Sequence, residues 1–148
     1  MKRTESLTAP VEIRQADDGP RLAGVIMQEG RAATGGRAEL FAPGAVLWPP
    51  EGIAIRTEHL GAEHGRAVPT RDADGSIRID APAPPAVVAA IGAGKRFLSV
   101  EFLAARELGT AAGVREIQRA LVDGAALVRR PEYSQARAEL RGRRPYAV

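Results

Sequence analysis

Arg96-Phe97-Leu98-Ser99-Val100-Glu101-Phe102 alternates with a period of two. Leu98, Val100 and Phe102 fall on one side of an extended chain, and Phe97, Ser99 and Glu101 on the other. The first set is the more apolar and is expected to face the core, which leaves Ser99 on the opposite face. A serine hydroxyl is a poor nucleophile until a base takes its proton, so a catalytic Ser99 needs a partner brought near it in space.

Outward from this strand, the sequence reads as short extended segments punctuated by turns. Residues 11–14 (VEIR) and 21–28 (RLAGVIMQ) are expected strands joined at Asp17-Asp18-Gly19-Pro20. Glu39-Leu40-Phe41-Ala42-Pro43-Gly44-Ala45 is an apolar segment broken by a Pro-Gly turn, and residues 52–56 form a short strand leading to His59. Ala67-Val68-Pro69 and Ser76-Ile77-Arg78-Ile79 read as a hairpin around Asp72-Ala73-Asp74-Gly75, with Ile77 and Ile79 on one side. Pro82, Pro84 and Pro85 stop the sheet, and Pro85 suits the first turn of a helix over 86–91 closed by Gly92 and Gly94. Residues 114–128 are extended with a break at Asp123-Gly124, and 131–141 favour a helix. This order predicts an α+β fold, a β-barrel with peripheral helices.

The 148 residues fit a single domain over 1–148, with a core at about 11–140 and a basic tail at 137–148. Hydrophobic content of 45% with 4% aromatics calls for a core of Ala, Val, Leu and Ile. With no cysteine there is no disulfide, thiolate metal site or cysteine nucleophile. The sequence offers no membrane-length apolar run and no secretory signal in its first residues, so a cytoplasmic protein is expected. The net charge of +3 owes much to Arg137, Arg141, Arg143 and Arg144. No aromatic residues interleave with them to stack on bases, which ranks nucleic-acid binding low.

Both histidines lie in one loop, Arg56-Thr57-Glu58-His59-Leu60-Gly61-Ala62-Glu63-His64-Gly65-Arg66. Glu58, His59, Glu63 and His64 are all potential metal ligands. The Glu-His pairs, however, recur at a step of five, and Gly61 and Gly65 oppose a helix, so the zinc-binding HExxH pattern is absent and no metal is expected.

Several segments occur in the order found in prohead proteases of tailed phages, which share their fold with herpesvirus maturation proteases. Residues 39–45 resemble the "e-x-F-x-P-G-A" segment, and His59 with Gly65-Arg66 resembles the histidine segment. Residues 72–77 resemble the "D-x-D-G-L" hairpin, 97–102 the "L-S-[IV]-x-F" nucleophile strand, and Ala125-Ala126-Leu127-Val128 with Pro131 the closing "E-V-S-L-V-x-x-P-A" strand. The likeness spans about residues 20–140.

The resemblance implies a herpesvirus-protease-like fold and a cofactor-free serine endopeptidase with Ser99 as nucleophile and His59 as general base. The registration puts Gly124 where phage enzymes carry an acid and herpesvirus enzymes a second histidine. Asp123, turned inward by a bulge at Asp123-Gly124, is the first candidate for the third member, and Glu116 the alternative. Arg129 and Arg130 are the nearest match to the oxyanion-binding arginine loop of the herpesvirus relatives. The implied substrates are scaffold and capsid-protein extensions inside the procapsid, in the bacterial host's cytoplasm. The resemblance leaves room for a homodimer and gives no role to a membrane. Gly124 also motivates a second reading, a protease-related capsid or scaffold component without activity, and the terminal arginines a weaker third, a nucleic-acid-binding barrel.

Overall fold

The computed structural model describes residues 4–30, 39–109 and 113–129. Of these, 63% are in strands and 7% in one helix, arranged as two open sheets. The expectation of an α+β barrel with peripheral helices is therefore incorrect. The 131–141 helix and the terminal arginines lie outside the described residues.

The first sheet contains β1 (Thr4–Pro10), β10 (Phe97–Gly109), β11 (Arg115–Val128), β6 (Ile53–Arg56) and β7 (Glu63–Ala67), in that order. β4 (Glu39–Phe41) and β5 (Val46–Leu47) pair in parallel with β11, which also has β6 as a parallel partner nearer its C-terminal end. The second sheet runs β2 (Glu12–Ala16), β3 (Gly19–Gln28), β9 (Ser76–Pro82), β8 (Thr70–Arg71). A barrel fails to close because the 12–28 hairpin pairs with β9 instead of with the first sheet, leaving β1 and β7 as edges of one sheet and β2 and β8 as edges of the other.

Local chemistry accounts for most of these elements. The β2–β3 turn at Asp17-Asp18 closes through Gly19, whose φ of 115° is inaccessible to most side chains. The second hairpin forms as anticipated around Asp72–Gly75, but its first strand is Thr70–Arg71 and not Ala67-Val68-Pro69. Pro69 lacks an N–H for a ladder, and Ala67 instead ends β7 opposite Ile53. The helix α1 (Pro85–Gly92) starts at its proline and turns Val87 and Ile91 into the core.

One continuous apolar cluster unites the sheets. Leu22, Ile26, Ile77 and Ile79 come from the second sheet, and Ile53, Leu98, Val100, Phe102, Ile117 and Leu127 from the first. Each such side chain contributes roughly 1.5–3 kcal/mol on burial. Phe102 packs edge-on against Phe41 at 5.4 Å, and truncating it to alanine is expected to cost about 3–5 kcal/mol.

The Pro-Gly segment is held by a buried carboxylate. Glu29, 2% exposed, accepts the N–H groups of Gly44 and Val46 at 3.0 and 2.9 Å, and both Nε and Nη2 of Arg71 at 2.9 and 3.1 Å. Arg71 Nη2 also donates to Val46 O at 2.6 Å. Burial by itself pushes the Glu29 carboxyl up. The hydrogen bonds from Arg71, Val46 and Gly44 outweigh it and hold the group below the ordinary carboxylate range. The motif at 39–45 therefore has a structural role of its own, in docking β4 and β5 against β11.

Candidate active site

β10 is a long strand whose first half follows the predicted alternation. Leu98, Val100 and Phe102 are buried in the core. On the opposite face, Ser99 has Thr8 of β1 and Ala126 of β11 as its cross-strand partners, and Ala126 in turn pairs with Arg56 of β6. The next row along this face runs Ser6, Glu101, Gly124, Ala54. Ser99 is only 5% exposed, and its Oγ has no hydrogen-bond partner among the described residues. A buried hydroxyl left unpaired costs about 1–3 kcal/mol, and such groups call for a functional account.

The histidine loop is built on a tight turn. Gly61 N–H donates to Glu58 O at 3.1 Å, with Leu60 in the left-handed region at φ 61°. Two long side chains tie the turn to the sheet: Arg56 Nε donates to Gly61 O at 3.1 Å, and Lys95 Nζ to Thr57 O at 2.7 Å. This arrangement brings His59 Nδ1 to 3.0 Å from Glu101 Oε2. A carboxylate only accepts, so Nδ1 carries the proton and Nε2 is left as a base. Nε2 has no partner among the described residues. Glu101 and Ser99 are same-face neighbours, their Cα atoms about 7 Å apart on one strand.

His59 and Glu101 line a cleft of about 580 Å³, together with Arg56, Arg66, Asp123 and Ala126. Ser99 is not in the cleft wall, but its partner Ala126 and its neighbour Glu101 are. His64 faces elsewhere, with Nε2 at 3.4 Å from Thr57 Oγ1.

The other predicted site residues are dispersed. A bulge does occur at Asp123, because Phe102 pairs with Val122 while Glu101 pairs with Gly124. Asp123 joins the cleft wall as an exposed residue, but the carboxylate hydrogen-bonded to His59 is that of Glu101. Glu116 sits opposite Leu108, and from there to Gly124 the strand runs roughly 25 Å at about 3.3 Å per residue. Arg129 caps the end of α1 by donating from Nη1 to Ala93 O at 2.8 Å, and Arg130 lies outside the described residues. Among the described residues, no group of three or more His, Asp or Glu side chains is placed to hold a metal ion.

Two cleft residues, Glu101 and Arg56, were missed as site members by the sequence reading. Glu101 left a signal there, since alternation already set it beside Ser99. Arg56 left none beyond its closeness to His59. Comparison with protein-family models, curated proteins and solved structures finds no match for the chain, so the site is read from its own geometry.

Proposed function

We propose that this chain is a serine endopeptidase of the prohead-protease type, acting on scaffold and capsid-protein extensions during phage capsid maturation. The observation that carries the reading is the His59–Glu101 hydrogen bond, made two residues along the same strand face from an unpartnered Ser99. In this reading His59 Nε2 removes the Ser99 proton as Oγ bonds to the scissile carbonyl carbon. The proton then passes to the leaving amine as the C–N bond breaks, and water attacks the acyl-enzyme with His59 again as base. Glu101 holds the tautomer and stabilises the imidazolium. It faces Gly124, the position that the resemblance registers on the third member of those enzymes.

A second reading, a protease-related capsid or scaffold component without activity, is favoured by the 5% exposure of Ser99 and its place outside the cleft wall. A fluorophosphonate probe separates the two. Covalent labelling at Ser99, lost in Ser99→Ala and His59→Ala, is expected of the peptidase. An unlabelled, folded protein would leave the non-catalytic reading standing.

A further inference from the structure

Arg56 ends β6 and extends across β11. Its Nη1 lies 2.7 Å from where a Cβ on Gly124 would stand. Nε is engaged with Gly61 O, whereas neither Nη group has an acceptor among the described residues. The neighbouring Arg66 has a partner on every nitrogen, donating to Glu63 through Nε and Nη2 and to Gly52 O through Nη1. The cleft thus contains one guanidinium that is anchored from behind and has free donors over the floor of the site.

We propose that Arg56 is the oxyanion donor of this site, an inference that rests on the acyl-transfer reading above. Gly124 faces Glu101 directly, so Ser99 is its diagonal neighbour. Diagonal positions in an antiparallel pair lie about 7–8 Å apart. A carbonyl group spans that gap, with its carbon about 3 Å from Oγ and its oxygen about 3 Å from a donor. As Oγ bonds to carbon, the carbonyl π pair moves onto oxygen and the Ser99 proton moves to His59 Nε2. Arg56 keeps its charge throughout, because a guanidinium does not release its proton near neutral pH. It binds the oxyanion until the carbonyl re-forms and the leaving group departs with the proton from His59.

The same geometry accounts for the glycine. A Cβ at position 124 would stand 2.7 Å from Arg56 Nη1, so any side chain there moves the guanidinium from its present place. Gly124 is not in the left-handed region, and the only close neighbour of an added Cβ is the far end of this flexible side chain. Gly124→Ala should therefore leave the fold intact while displacing the guanidinium.

The test uses the full chain, with turnover of 4-nitrophenyl acetate and fluorophosphonate labelling of Ser99 as readouts. Arg56→Ala and Arg56→Lys are expected to lower kcat about 100-fold or more, the usual effect of removing an oxyanion donor, with KM little changed. Gly124→Ala should fall in the same direction although Arg56 is present. The pH midpoint of the rate should not move in any of the three. If the wild type labels and turns over while Gly124→Ala and both Arg56 variants match it within threefold, Arg56 is not the donor and the peptidase reading stands. Losses that come with a displaced pH midpoint or a lowered Tm would reduce Arg56 to an anchor of the histidine turn. A wild type that neither labels nor turns over overturns the peptidase reading and the role of Arg56 with it.

Discussion

Glu101 on β10 and Gly124 on β11 are direct cross-strand partners, and the carboxylate of the first is hydrogen-bonded to His59 Nδ1. On the peptidase reading, the orienting acid is thus Glu101 of β10 and not a residue of β11. Replacing Glu101 with Gln should therefore cut fluorophosphonate labelling and ester turnover by orders of magnitude, as loss of the orienting acid does in the trypsin-like triad. Asp123→Asn should stay within a few-fold of wild type and Glu116→Gln should have no effect. A severe defect in Asp123→Asn with a mild one in Glu101→Gln would assign the role to the bulge residue instead.

Ser99→Ala removes a hydroxyl that has no partner among the described residues. Activity should vanish, while thermal unfolding should show stability unchanged or raised by about 1 kcal/mol, since an unpaired buried polar group is lost. Residual labelling of the purified variant would place the nucleophile elsewhere.

The base must be the histidine that lines the cleft, which is His59 and not His64. His59→Ala should be inactive and His64→Ala close to wild type, as His64 is turned toward Thr57. A dead His64→Ala alongside an active His59→Ala would reverse the assignment.

Glu29 makes an acid-sensitive contribution to stability. Its pKa in the folded chain lies below the ordinary value of 4.5, so the contribution is fully present above that value and is lost as pH falls through the lower folded pKa. Urea unfolding across this acid range should show the loss in the wild type and a flatter profile in Glu29→Gln. Arg71→Ala leaves the buried carboxylate without its counter-ion. The expected cost at neutral pH is about 3 kcal/mol, the low end for a broken buried pair because Arg71 is 36% exposed.

Leu60 carries a left-handed backbone and is 101% exposed, so its side chain buries nothing. Leu60→Gly should be neutral or stabilising, by up to about 1 kcal/mol, in thermal unfolding. A clear destabilisation would mean that the turn holding His59 depends on this side chain.

Much of the local structure was legible in the residues themselves. The alternation at 97–102 identified the core face of β10, the Asp17–Gly19 cluster the β2–β3 turn, Pro85 the start of α1, and Asp123-Gly124 an irregularity that proved to be a bulge. These are properties of neighbours in the chain, set by φ preference, missing N–H groups and side-chain period. The barrel expectation failed because alternation tells which face of a strand is buried but not which strand lies beside it.

The pairings that make the site are of that second kind. His59 and Glu101 are 42 positions apart, and they meet where Arg56 of β6 and Lys95, just before β10, hold the histidine turn. Registered on the family that the sequence resembles, Gly124 stands where a catalytic acid is expected. Once β10, β11 and β6 are set in register it becomes the gap through which Arg56 crosses. The sequence by itself determined which residues present chemistry on which face. The tertiary structure alone decided which of them share a cleft, because strand register is set by packing the whole core and not by any one segment.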